Sequence, residues 1–151
     1  MKGSRSTRAS ARKPAAAEPA DPSVPGGRSA EVVLDVEIER HRVHLVLANC
    51  GDAVATDVQV KFSRELMGLG GSLNISTLPV FTRLGVLRPG RTLRIFWDAA
   101  PSLLAQRAQV GPFVAAVSWS ERSRPRQRAD YHHDLSIYRD WPEAVEPETR
   151  E

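Results

Sequence analysis

Residues 43–63 read V-H-L-V-L-A-N-C-G-D-A-V-A-T-D-V-Q-V-K-F-S, two alternating apolar runs joined by an Asn/Gly/Asp segment. In the first run Val43, Leu45 and Leu47 alternate with His44, Val46 and Ala48. In the second, Val58, Val60 and Phe62 alternate with Asp57, Gln59, Lys61 and Ser63. A period of two sends one set of side chains to a buried face and the other to water, which is the pattern of half-buried antiparallel strands. Between the runs, Asn49 and Asp52 can hydrogen-bond their own backbone, and Gly51 can take a positive φ at no steric cost. The small and polar residues Asn49, Gly51, Ala55 and Asp57 therefore read as turn chemistry within a loop from Asn49 to Asp57, setting the register of the two strands.

The same period extends in both directions. Upstream, Val32, Leu34, Val36 and Ile38 alternate with Glu31, Asp35, Glu37 and Glu39, and Arg40-His41 is a tight connection that makes a hairpin with the next strand. Downstream, Gly68, Gly70 and Gly71 break any pattern, so residues 64–78 read as a long loop. Pro79 to Leu84 is expected as a short edge strand. Leu87-Arg88-Pro89-Gly90 is a turn, and Leu93, Ile95 and Trp97 mark the strand after it. Pro101 to Gln109 predicts a short helix or helical crossover, closed by Gly111-Pro112. Phe113, Ala115, Val117 and Trp119 then form a strand whose other face is mostly small, as suits the middle of a sheet. A polar hairpin tip from Glu121 to Arg128, with Pro125 in the turn, leads to a last strand from Ala129 to about Tyr138.

About seven strands at short spacing, with no helical period beyond a turn or two, specify an all-β β-sandwich with one short helix or crossover. It occupies residues 30–139. Residues 1–29 are Ala, Pro, Ser, Gly and Arg with Val24 as the one branched aliphatic residue, too little to bury in return for ordering, and are expected as a disordered basic tail. Residues 140–151, with five acids and one arginine, are expected as an acidic C-terminal tail.

Asn49-x-Gly51-x-x-x-Ala55-x-Asp57-Val58, followed by Leu87-x-Pro89-Gly90, then by Trp119 and Asp134-Leu135, resembles the bacterial immunoglobulin-like β-sandwich modules of the CARDB type, the cell-adhesion-related domain of bacteria. The resemblance covers about Val32 to Arg139. It implies an immunoglobulin-like, seven-stranded Greek-key sandwich serving as a spacer or interaction module, with no catalytic residues.

The formal charge of +3 is unevenly placed. The first 29 residues hold six cations against Glu18 and Asp21, a net of +4, and the rest of the chain holds fifteen against sixteen, a net of −1. A basic pI thus belongs to the tail, and the body is neutral. One cysteine, Cys50, leaves no internal disulfide or Cys-rich zinc site, and a reducing compartment fits. No apolar run reaches the length of a signal-peptide core or a membrane span. With arginine far more abundant than lysine and much alanine, the reading is a bacterial cytoplasmic protein.

Candidate chemistry is sparse. Cys50 has no Cys/His signature around it and reads as a small buried thiol. His132, His133 and Asp134, with His41 or His44, raise a metal site. Neighbours on a strand point to opposite faces, however, so His132 and His133 cannot share an ion. His133 instead aligns inward with Tyr131, Leu135 and Ile137. Arg122, Arg124, Arg126 and Arg128 recur every second residue and could touch phosphates, but no aromatic residue interleaves with them. Trp97 and Trp119 are expected in the core, and Trp141 either packs back or docks a partner. No phosphate loop, Ser-His-Asp order or carboxylate pair is present. The expectation is a non-enzymatic module without cofactor, metal or evident small-molecule substrate. It would act through a protein partner or self-association at a sheet edge. The alternative is a tail-tethered protein that binds nucleic acid or another anionic surface through the tail and the arginine hairpin.

Overall fold

The computed structural model of the chain describes residues 28–122 and 124–141. The two expected tails, residues 1–29 and 140–151, lie outside the described residues except for Arg28, Ser29, Asp140 and Trp141.

The described chain is an all-β sandwich. β1 (Val32–Glu39), β2 (Arg42–Asn49) and β7 (Thr92–Ala99) form one sheet in that order. β6 (Leu84–Leu87), β3 (Ala55–Phe62), β8 (Pro112–Glu121) and β9 (Arg124–Asp134) form the other. Every pairing is antiparallel. The chain crosses between sheets from β2 to β3, returns from β6 to β7, and crosses again from β7 to β8. The alternation read from the sequence decides which side chains meet. Val32, Leu34, Leu45 and Leu47 of one sheet and Val58, Val60, Phe113 and Val117 of the other are all at most 2% exposed and fill the space between the layers. Each such side chain contributes about 1.5–3 kcal/mol, and their sum is the main favourable term.

The β1–β2 hairpin closes in two residues, as expected, with Arg40 and His41 both left-handed at φ 52 and 63. That backbone matches the twist of the strands it joins, although neither residue is the Gly or Asn that such a turn prefers. The Arg88–Arg91 turn also forms, with Gly90 at φ 80 and the Arg91 N–H donating to the Arg88 carbonyl at 3.0 Å.

Several boundaries move. Ala55 to Asp57 belong to β3 and not to the preceding loop. Asp57 sits at φ 50 where the β3–β8 register shifts, so it is a bulge residue. Pro79 starts a one-turn helix, α1 (Pro79–Thr82), in place of the expected strand, because proline presets the first helical φ and needs no N–H there. β6 follows it and runs into Leu87. The expected helix at 101–109 is two short turns, α2 (Ala100–Leu104) and α3 (Arg107–Val110). The tip between β8 and β9 is tight, so Arg124, Pro125, Arg126 and Arg128 lie on β9. β9 in turn ends at Asp134, whose carboxylate accepts the Ser136 N–H at 3.0 Å and starts a 3-10 turn, Leu135–Tyr138. The strand period is lost there, and Ile137, expected inward, is 71% exposed.

The segment 64–78, expected as an unstructured loop, carries a small hairpin of β4 (Met67–Gly68) and β5 (Leu73–Asn74). Trp97 anchors it. β7 has one residue more than β2 at this point, since Val43 faces Asp98 and His44 faces Phe96, so the unopposed Trp97 turns fully inward. Its indole N–H donates to the Met67 carbonyl at 2.9 Å, and the chain passes so close that a Cβ on Gly68 would lie 2.2 Å from the Trp97 carbonyl oxygen.

Candidate interaction surfaces

Asn49 is buried at the end of β2, and its side chain uses its full hydrogen-bonding capacity. Oδ1 accepts from the N–H groups of Glu31 and Gly51 at 3.1 and 3.0 Å. Nδ2 donates to the carbonyls of Ala53 and Leu87 at 2.8 and 2.9 Å. The backbone of Asn49 adds bonds to Arg91 and Gly90. One amide thus ties the start of β1, the β2–β3 loop and the β6–β7 turn together. Gly51 is required for close approach and not for a left-handed backbone. A Cβ there would stand 2.2 Å from the Ser29 carbonyl oxygen. The approach is close because Ser29 and Glu31 pair with Asp52 and Cys50 through backbone bonds of 2.9 and 2.8 Å. Cys50, expected as buried, is exposed at this end. Partial desolvation, with Glu31 nearby, raises its thiol pKa, which disfavours the nucleophilic thiolate.

The structure joins the two groups of residues singled out in the sequence. Arg126 crosses the outer face of β8 to Asp57, bonding its carboxylate at 3.1 Å and its carbonyl at 3.0 Å. It also donates to the hydroxyls of Ser118 and Ser120, both at 2.9 Å. Arg128 pairs with Asp130 at 3.2 Å, and Arg124 lies 3.7 Å from Glu121. Three of the four candidate arginines are therefore engaged by the protein's own acids. Arg122 sits in the turn, exposed, with no carboxylate within ion-pair distance among the described residues.

The sheet edges differ sharply from one another. Along the first half of β1's outer edge, backbone groups are met by side chains, most of them from the other sheet. The Tyr131 hydroxyl donates to the Val32 carbonyl at 2.9 Å, and His133 Nε2 lies 3.0 Å from the Leu34 carbonyl oxygen. The Glu121 carboxylate accepts the Ala30 N–H at 3.1 Å and the Trp119 indole N–H at 3.2 Å. The Val36 N–H is taken by the Asp35 carboxylate at 2.8 Å. Burial pushes the Tyr131 phenol up to about 12, with Glu31 and Cys50 adding to the effect. From Ala30 to Val36 this edge is closed to a further strand. β9 carries Pro125 and alternating charges, and β6 has only four residues; both are features that discourage pairing. β7 is different. Its Trp97 end is covered by the small hairpin. From Thr92 to Phe96, however, no strand pairs with its far side among the described residues, and Phe96 is 40% exposed.

His132, His133 and Asp134 are not brought together. His133 points inward against Phe113, ring centroids 5.4 Å apart, while His132 is exposed. No group of three or more His, Cys, Asp or Glu side chains is placed to share an ion among the described residues. A shallow groove of about 250 Å³ runs past Ser63, Pro112, Val114, His132 and Asp134. Two of its polar side chains, Ser63 and Asp134, are engaged within the protein. The Ser63 hydroxyl accepts the Val114 N–H at 2.9 Å, and Asp134 accepts the Ser136 hydroxyl at 2.8 Å, which with the Ser136 N–H lowers the Asp134 pKa. Trp119 is buried as expected, and Trp141 packs back on Tyr138 with centroids 5.5 Å apart. Two residues that serve the closed edge escaped the sequence reading. Glu121 was assigned to a polar tip and is buried, and the inward parity of Tyr131 was the one available signal for its role.

These features define a compact β-sandwich with one sheet edge capped and another open. The chain belongs to the family described as a domain of unknown function (DUF8453), whose model matches residues 4–139. No curated protein matches the chain.

Proposed function

We propose that the protein is a non-catalytic interaction module of the immunoglobulin-like kind, as the CARDB resemblance implies, and that it binds an extended segment of a protein partner along β7. One observation carries this reading: β1, equally long, is sealed up to Val36 by Glu121, Tyr131, His133 and Asp35, whereas β7 is left open from Thr92 to Phe96. Leu93 and Ile95 pair with Leu47 and Leu45, so by the alternation of an antiparallel ladder the backbone groups of Thr92, Arg94 and Phe96 point outward. An added strand satisfies those groups and gains affinity from main-chain hydrogen bonds.

Substituting Arg94→Pro removes one outward N–H at an edge, where proline is tolerated, and Arg94→Ser removes only the side chain. Pull-down from the native cell and sedimentation over a range of concentrations should reveal a partner or self-association that the proline variant loses and the serine variant keeps. If neither partner nor self-association is found, or both variants behave as the parent does, the reading fails.

A further inference from the structure

Segments far apart in sequence meet at one end of the sandwich. Asn49 bonds Leu87 and Arg91, Ala55 pairs with Leu87, Thr56 pairs with Ser120, and Glu121 bonds Ala30. The turns flanking these contacts bring Arg28, Arg88, Arg91 and Arg122 to the same pole. All four are exposed, and none is within ion-pair distance of a carboxylate among the described residues. Arg124 and Arg126 share the pole but are held by Glu121 and Asp57. Glu31 and Asp52 place two further carboxylates at this end, Asp52 accepting the Ser29 N–H at 2.9 Å. The pole thus gathers six arginines against Glu31, Asp52, Asp57 and Glu121, a surplus of two positive charges. The residues that precede Arg28 in the sequence hold Lys2, Arg5, Arg8, Arg12 and Lys13 against Glu18 and Asp21. The family match, residues 4–139, includes Arg5, Arg8, Arg12 and Lys13.

We propose that the pole bearing Arg28, Arg88, Arg91 and Arg122 binds a nucleic-acid duplex through its phosphates, independently of the β7 edge. The cations are all guanidinium groups, whose planar fork matches a phosphodiester and pairs with it bidentately. No aromatic ring is exposed at this pole among the described residues, since Trp119 is buried and the exposed Phe96 and Trp141 lie elsewhere. Single-stranded bases therefore have nothing to stack on, and contact is with backbone and not sequence. Val54 and Val86 are the large exposed apolar residues near this pole, and neither is the aromatic or long side chain that serves as a wedge into a lipid surface.

The test is anisotropy of a labelled DNA duplex of scrambled sequence, titrated with the full chain at several salt concentrations. The triple variant Arg88→Ser/Arg91→Ser/Arg122→Ser is compared with Arg42→Ser/Arg107→Ser/Arg139→Ser, which removes equal charge elsewhere. Binding by the parent should weaken steeply with salt. The pole variant should bind about tenfold or more weaker, with a salt slope lower by about three, and the distant variant should stay within about twofold of the parent. Should the pole variant melt lower than the parent, each single variant is read for its own slope loss of about one. The proposal is overturned if the duplex is not bound, if the two triple variants weaken alike, or if the pole variant binds as the parent does. It is equally overturned if vesicles of phosphatidylglycerol are bound and the duplex is not.

Discussion

The Tyr131 hydroxyl on β9 donates to the Val32 carbonyl on β1 at 2.9 Å, joining the edges of two different sheets. The bond leaves the phenol neutral and half-buried, with its pKa raised to about 12 by burial first and by Glu31 and Cys50 after it. An unfolded tyrosine titrates near 10, so the native state disfavours the phenolate. The associated stability is complete below about pH 10 and is lost as pH rises towards 12. Tyr131→Phe should cost about 1 kcal/mol at neutral pH, because the Val32 carbonyl loses its partner. It should also flatten the alkaline decline, leaving the parts that Tyr138 and Cys50 contribute. Thermal melts from pH 8 to 11 check both effects.

Asn49 serves four backbone groups at once, so its removal orphans all of them. Asn49→Ala is expected to destabilise the fold by about 3 kcal/mol or more. Asn49→Asp keeps the acceptor for Glu31 and Gly51 but has no donor for Ala53 and Leu87, and should fall between the parent and the alanine variant. Urea midpoints with an unchanged slope would establish the order.

Arg40 and His41 hold left-handed backbone angles that side chains with a Cβ adopt at a cost. Replacing the pair with Asn-Gly should stabilise the protein by about 1 kcal/mol, since the turn geometry stays and its strain goes. The His41 carbonyl, which accepts the Ala100 N–H at 2.7 Å, is backbone and is kept. A rise of several degrees in the melting midpoint is the expected reading.

Strands β1, β2, β3, β7 and β8 were legible because their alternation is a local property of the chain, and the Arg40-His41 and Arg88–Gly90 turns were legible because φ preferences are local too. The misses have a common cause. Pro79 is tolerated at the start of either a strand or a helix, and local propensity does not choose between them. The hairpin at 67–74 has no pattern of its own and exists because Trp97 receives it. Cys50 looked like a buried thiol by residue type, yet the β2 end at which it lies opens to water. At the candidate surface, the spacing of Arg124, Arg126 and Arg128 was correct, but spacing says nothing about which acid lies across the sheet. Asp57, read as a turn residue, is what takes Arg126 out of service.

By itself, then, the sequence determined an all-β sandwich and the inward set of side chains, because a period of two and a few turn residues act within a few positions of one another. Only the tertiary structure decided which edge is closed and which is open. Whether a backbone carbonyl meets Tyr131, His133 or water depends on residues about a hundred positions away in the chain. The same folding gathered Arg28, Arg88, Arg91 and Arg122 at one pole, where charges dispersed along the chain act together because Coulomb interactions depend on distance in space.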